Sequence, residues 1–299
     1  MQTVDPKSVS VPELHGLLLG AIAPRPIAFA STIDAEGRVN LSPFSFFNVF
    51  GANPPTLIFS PARRVRDNTT KDTLANVEVV PEVVINIVDY ATVEQMSLAS
   101  TEYPTGVNEF IKAGLTEAPS ERVAPPRVAE APAAFECKVT QVIPTGEEGG
   151  AGNLIICEVV LAHFQDRIFG EDGKIDPRKL DAVARMGGDW YCRAQGDAIF
   201  QLPKPGRIPG MGIDQLPPAI RESPVLTGNH LARLGNSSEA PSAEAVQAYA
   251  KSEEAQELLV RFGHHRESFI EHAHSLAIDY LKANQVEEAW KVLLLPVPE

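Results

Sequence analysis

The pattern of apolar and polar positions divides the chain into a strand-rich first two-thirds and a helical end. Pro26–Ile33 (PIAFASTI) is apolar and β-compatible, Asp34–Arg38 (DAEGR) has turn composition, and Val39–Phe44 resumes the pattern, which predicts a hairpin. Thr56–Ser60 follows Pro54-Pro55, a pair that can open a strand but not sit inside a central one. Val83–Val88 (VVINIV) is nearly all apolar and predicts a strand buried on both faces. Phe135–Ile143 and Asn153–His163 add two more strands, with a flexible hairpin loop over Gly146–Asn153. The predicted helices here are short. They cover Lys71–Val77, with Asn68, Thr69 and Thr70 as capping residues, then Val93–Ser100, Val107–Ala113 and Arg178–Met186, the last stopped by Gly187-Gly188. Many strands with short helices at their ends predict a closed or partly open antiparallel barrel.

The remainder differs in kind. Gln201–Pro218 is rich in Pro and Gly and reads as a wrapping arm. From Ser242 onwards the period is helical, over Ala243–Phe262, Arg266–Lys282 and Val286–Leu294, with Gly263 and Asn284 as natural stops. The expected division is a barrel domain over 1–205 and an arm with helical extension over 206–299. No internal repeat is evident, and the helices read as a packing or dimerisation appendage rather than a second catalytic domain.

Composition narrows the function classes. With 26 Lys+Arg against 39 Asp+Glu, the 299-residue chain carries a formal charge of −13, unsuited to general binding of nucleic acid. The 25 prolines favour a loop-rich β architecture over a helical bundle. Cys137, Cys157 and Cys192 are scattered and form no CxxC, as expected of free thiols in a cytoplasmic protein. Gly16–Ala23 is apolar, but Asp5 and Glu13 precede it, so it is not read as a secretory signal. No run of eighteen apolar residues predicts a membrane span. The sequence has no GxGxxG, P-loop or GxSxG motif, and His264, His265, His272 and His274 lack zinc-ligand spacing, so no metal is expected.

Four segments carry candidate chemistry. Arg63, Arg64, Arg66 and Lys71 lie within nine residues of an acidic chain, at the start of a predicted helix whose free N–H groups favour an anion. Arginine forks, a lysine and threonine hydroxyls suit one phosphate; a solvated basic loop is the other reading. Pro24-Arg25-Pro26 fixes where an arginine points, at a strand entry that also suits a merely exposed side chain. Leu41–Gly51 interleaves Phe44, Phe46, Phe47 and Phe50 with Ser42, Ser45 and Asn48, a mixture fit for a flat heteroaromatic ligand or for ordinary barrel core. Gly187-Gly188-Asp189-Trp190-Tyr191 sets two aromatics behind a flexible turn, to cover a ligand or to plug the barrel.

Taken together, the segments Pro24–Asp34, Gly37–Asn48, Asn53–Ser60, Lys71–Asn76, Tyr103–Phe110 and Met186–Tyr191 resemble the flavin reductase-like family with the FMN-binding split-barrel fold. The likeness covers about residues 10–205, and the arm PGMGIDQLP with VLTGNHLARLGN is similar to extensions of some members. The resemblance implies a mainly β, six-stranded Greek-key barrel that dimerises with FMN at or near the subunit interface. It places the isoalloxazine along Ser42, Pro43, Phe44, Ser45, Phe46 and Asn48, bordered by Arg25 and Pro26, with Tyr191 also at the site. It places Ser60, Arg63, Lys71, Asp72 and Thr73 around the ribityl phosphate. Asp72 departs from a purely basic phosphate site and either caps the helix or meets a ribityl hydroxyl. NADH or NADPH is the implied reductant, passing hydride to the flavin, so no catalytic side chain is predicted. A monooxygenase is one implied partner; a non-catalytic flavin carrier or electron-transfer protein on the same fold is the alternative.

Overall fold

In a computed structural model, which describes residues 1–297, the strand pattern forms one antiparallel sheet of seven strands. In chain order its members are β1 (Ala28–Ile33), β2 (Val39–Phe44), β3 (Phe47–Ala52), β4 (Pro55–Phe59) and β5 (Glu82–Ile87). A separate ladder of β6 (Glu117–Ala118) and β7 (Arg127–Val128) intervenes before the long hairpin of β8 (Ala133–Pro144) and β9 (Asn153–Phe164). The spatial order is β2-β1-β5-β8-β9-β4-β3. The expected count of six is therefore corrected to seven. The additional strand is β3, cut from the aromatic segment. Its alternation is broken by a register shift between Val49 and Gly51, and most of it is exposed, so it lacks the one-sided pattern that marks a strand.

The two edge strands, β2 and β3, are consecutive in the chain and joined only by Ser45 and Phe46, yet pair with other strands and not with each other. This seam is the split in the barrel. Ala28, Ala30, Phe44, Phe59, Val83, Ile85, Cys137, Ile155 and Cys157 share one buried cluster, joined by Leu74 and Val77 of helix α2 (Asp72–Val79, preceded in the chain by α1, Val11–Ala21). All three cysteines are free, and burial pushes the Cys157 thiol up to about 12. The alternate residues of β1 face a second cluster, where Phe29 and Leu41 meet Met96 of α3 (Val93–Ala99) and Phe110 of α4 (Glu109–Ala113). Asn86 is fully buried in β5; its amide donates to Phe29 O and accepts from Val128 N, which fastens β7 to the sheet.

Other departures have local causes. The α1 helix starts at Ser10, whose hydroxyl accepts from Glu13 N, and it buries no residue, so no amphipathic stripe announces it. The helix expected over Arg178–Met186 ends after one turn, α5 (Pro177–Leu180), because Asp181 turns left-handed (φ 49°). The chain then forms a hairpin of β10 (Val183–Arg185) and β11 (Tyr191–Arg193). The helix expected over Val107–Ala113 begins later, where Asn108 caps it by accepting from Phe110 N.

Residues from Gln201 onwards form a second compact unit. It contains α6 (Pro218–Arg221), α7 (Gly228–Gly235), α8 (Ala243–Tyr249), α9 (Glu253–Phe262), α10 (Arg266–Lys282) and α11 (Val286–Leu293) around Leu234, Phe269, Ala277, Leu281 and Trp290. The single helix expected over Ala243–Phe262 is two, since Ser252 opens a new one by accepting from Ala255 N. Within this unit the arm packs against the end of α7, with Gly212 N donating to Gly235 O; a Cβ on Gly210 would lie 2.4 Å from that same carbonyl. Among the described residues no helix is long and apolar enough to cross a membrane. None of their His, Cys, Asp and Glu side chains form a group of three placed to hold a metal ion.

Candidate functional site

The basic loop between β4 and α2 is mostly self-neutralised. Arg64 Nε (3.1 Å) and Arg66 both reach the carboxylate of Glu102. Arg63 is held by Asn68, with Nε donating to Oδ1 at 2.6 Å and Nη2 to the carbonyl at 2.8 Å. The expected caps do not cap. Asn68 is left-handed (φ 57°), the Thr69 hydroxyl donates to Asp67 and accepts from Arg64, and the Thr70 carbonyl accepts from Arg64. Arginine donors and the Asp67 carboxylate outcompete the helix for these short polar groups.

The N-cap position of α2 falls instead to Lys71, whose side chain cannot accept from the helix N–H groups. Its ammonium makes no ion pair or hydrogen bond among the described residues; it is half-buried, 6.0 Å from the Phe44 ring centroid. Burial lowers its pKa, and the positive charge of Arg64 adds to this against the opposing pull of Glu102 and Asp72. A partly desolvated cation without an acceptor, beside helix N–H groups that no side chain satisfies, favours a bound anion.

The neighbours of Lys71 are committed to holding this corner in place. Asp72 Oδ1 accepts from Thr105 Oγ1 at 3.1 Å. Thr73 is buried and donates to Asn40 Oδ1 at 2.8 Å, while Asn40 donates at 3.1 Å to Glu109, which also accepts from Leu41 N at 2.8 Å. Burial raises the Glu109 pKa despite these bonds. Ser60 is buried at the end of β4 and its hydroxyl accepts from Asn153 N at 3.0 Å. Of the five residues expected around a phosphate, Lys71 alone carries a cationic side chain with no hydrogen-bond or ion-pair partner among the described residues.

The aromatic segment is dispersed by the bend at Ser45 and Phe46 between β2 and β3. Phe44 points into the barrel, 5.4 Å from the Phe59 ring. Phe46 is exposed and meets His15 of α1 edge-on at 6.3 Å, and Asn48 is exposed on β3 and accepts from Val49 N. Ser42 is half-buried in β2, opposite Ala30.

Pro43 and Ser45 instead line a cleft of about 170 Å³ at the seam, together with Ile27, Met96, Ser100, Arg185 and Tyr191. Arg25, 6% exposed, lies behind it. Its guanidinium donates to Leu19 O (2.6 Å) and Ile22 O at the end of α1, to Met186 O (2.8 Å), and at 3.5 Å to Ser45 Oγ. Arg25 thus ties α1 to the β10–β11 turn, and adjacent Pro26 is exposed. Its backbone exchanges two hydrogen bonds with Arg185. Arg185 places its guanidinium 4.5 Å over the Tyr191 ring. Gly187 passes so close to α1 that a Cβ there would lie 2.9 Å from Gly20 Cα. Trp190 points into solvent, so only Tyr191 of the late motif reaches the cleft. Ile27, Met96, Ser100 and Arg185 are lining residues the motif reading missed. For Arg185 the available signal was a hairpin register: three residues either side of the Gly188 turn, Arg185 and Tyr191 face each other.

The flavin reductase like domain family matches residues 20–177, more than half the chain and the whole of this cleft apart from Arg185 and Tyr191. An uncharacterized protein of Halalkalibacterium halodurans is 43% identical over 204 residues, covering 68% of this chain and 96% of that one. Another from Aquifex aeolicus is 40% identical over 189 residues, 63% and 94% of the two chains. Among solved structures, nitrilotriacetate monooxygenase component B from Bacillus cereus superposes with a TM-score of 0.63 at 32% identity, over 68% of this chain and 98% of that one. The Pseudomonas fluorescens 2-nitrobenzoate 2-nitroreductase gives 0.61 at 26% identity, over 71% and 100%. A seven-stranded split barrel with a seam cleft and a bare anion-favouring helix start, matched by sequence and by structure, places this chain in the flavin reductase-like family.

Proposed function

We propose that the protein is an FMN-dependent oxidoreductase that takes hydride from NADH or NADPH and passes electrons to an acceptor. The observation that carries this reading is Lys71, a half-buried, unpartnered ammonium at the uncapped start of α2. The residues present fit the cofactor. Lys71 and the first N–H groups of α2 would hold the phosphate, with Ser60, Arg63, Asp72 and Thr73 shaping that corner through their internal bonds. Pro43, Ser45 and Tyr191 would hold the ring system, with Ser42, Phe44 and Arg25 supporting that wall and Pro26, Phe46 and Asn48 at its exposed margin.

Bound FMN would supply the two-electron chemistry. The chain's part is to exclude water with Ile27 and Met96, and to orient the rings with Pro43 and Tyr191. The Ser45 hydroxyl, held by the weak donation from Arg25, is free to donate in turn. The family's sharing of the site between subunits and the exposed Phe46, Val49 and Phe50 on the β3 side of the seam support a homodimer built over this face. The likeness to a monooxygenase component supports delivery of electrons or reduced flavin to an oxygenase partner. The test is NADH and NADPH oxidation by the full chain, with and without added FMN. Turnover that requires flavin supports the enzyme. Tight FMN binding without oxidation of either nucleotide would leave a flavin carrier.

A further inference from the structure

Arg185 stands apart from the other arginines of the protein. Among the described residues, every other buried or half-buried arginine donates from its guanidinium: Arg25 to carbonyls, Arg63 to Asn68, Arg64 to Glu102, Arg127 to Pro119 O and Arg233 to Asn284. Arg185 is half-buried, lines the seam cleft, and has no such bond and no ion pair. Among the described residues its partner is the face of Tyr191, which leaves the five N–H groups in the plane of the guanidinium available. Its nearest charged neighbour named by the backbone pairing is another cation, Arg25, whose donors are turned away toward α1 and the hairpin turn. The Arg25 pKa is lowered first by burial and then by the positive charge of Arg185. In a chain of net charge −13, no carboxylate compensates Arg185 in this cleft.

We propose that Arg185 is the anchor for an anionic oxygen group, a carboxylate or a phosphate, on the molecule that exchanges electrons with the flavin. The proposal rests on the flavin reading above and extends it to the second substrate. The stack on Tyr191 fixes the plane of the fork, so the anion is held bidentate and beside the ring that lines the cleft. The Ser45 hydroxyl, which accepts from Arg25 and keeps its own proton free, lies in the same cleft and can donate to the anion. A reductant bearing phosphates and an acceptor bearing a carboxylate share this chemistry, and two arms of one experiment separate them.

FMN is first titrated into the full chain and into Arg185→Gln, with Arg185→Lys as the variant that keeps the charge but not the fork. Equal FMN affinity in all three shows that the fold and the flavin corner are intact. Bound FMN is then reduced anaerobically by NADH or by uncharged 1-benzyl-1,4-dihydronicotinamide. In parallel, benzoate and benzamide are titrated against the oxidised flavin spectrum. The expected result is a tenfold to hundredfold weaker NADH or benzoate dependence in Arg185→Gln, less in Arg185→Lys, and no change for the uncharged partner of each pair. Loss confined to NADH assigns the anion to the reductant, and loss confined to benzoate assigns it to the acceptor. No loss in either arm overturns the proposal. So does a fall in FMN affinity itself, which would make Arg185 part of the flavin corner. Failure of the unaltered protein to bind FMN would instead refute the flavin reading, and this extension with it.

Discussion

Replacing Lys71 with methionine separates the cost of a charge from its use. Lys71→Met keeps the length and apolar stem of the side chain and removes only the ammonium. In the ligand-free protein that ammonium has no hydrogen bond to lose. Its pKa is lowered, so folding disfavours the charged form, and below that lowered pKa the charge detracts from stability. Lys71→Met should therefore leave the melting temperature of the flavin-free protein unchanged or slightly higher. Binding should respond in the opposite sense. A charge-assisted hydrogen bond to a phosphate is worth about 1.5–3 kcal/mol, which weakens FMN roughly tenfold to 150-fold. Riboflavin, which has no phosphate, should change little. The assay is paired fluorescence titration with the two flavins, together with calorimetry in phosphate-free buffer. The loss should also shrink as pH falls below about 6, where the FMN phosphate takes up a proton and passes from dianion to monoanion. Equal weakening of both flavins, or a melting temperature lowered by several degrees, would refute the argument that this charge is held for an anion.

Three further outcomes follow from named contacts. Arg25→Met should remove the donors that close α1, costing about 2–4 kcal/mol and exposing residues 11–21 to early proteolysis, since that helix buries no residue of its own; unchanged proteolysis would show that α1 is held otherwise. Gly187→Ala should destabilise by about 1–3 kcal/mol in a denaturant melt, because the new methyl meets backbone at 2.9 Å rather than a flexible side chain. Burial alone would raise the Glu136 carboxyl, but the N–H groups of Glu121 and Arg122 and the His163 ring outweigh it and hold its pKa below the ordinary value. Its contribution is therefore present above the unfolded-state pKa near 4.3 and lost as pH falls through the lower folded value. Glu136→Gln should cost about 1–3 kcal/mol at pH 7 and show a flatter loss of stability between pH 5 and pH 3 than the unaltered chain.

The parts of the fold that were legible in the sequence are those where one residue sees one environment. Val83–Val88 is apolar because both faces of β5 are packed, and Asn284 follows α10 in the left-handed region (φ 62°) as that residue type does, whereas Gly263 ends α9 while still right-handed (φ −65°). Lys71 was legible as part of a charge reversal in an acidic chain. The caps before it were not, because Asn68 and Thr69 have side-chain partners brought by Arg63, Arg64 and Asp67, and such competition has no periodic signature. Strand β3 was hidden by its exposed, irregular edge, and α1 by the absence of a buried stripe. The aromatic segment suits a flat ligand or barrel core in the sequence, whereas Phe44 ends β2 facing inward and Phe46 lies in the two-residue bend before β3, outside. Arg185 became visible only once β10 and β11 were paired.

The seam between β2 and β3 also bears on the order of assembly. These strands leave the ribosome one after the other, separated by two residues, but occupy opposite ends of the ladder. Their relative position is set only when β4 has found β9, a pairing that brings Thr56 opposite Glu158. Such distant pairing is slow, because loop-closure entropy precedes the reward. Ser45, at the bend between the edges, therefore reaches its place in the cleft among the last events of folding. A molecule gripping the seam meets nothing complete in the earlier states. It should act as a latch on the finished barrel, slowing its unfolding without hastening its formation.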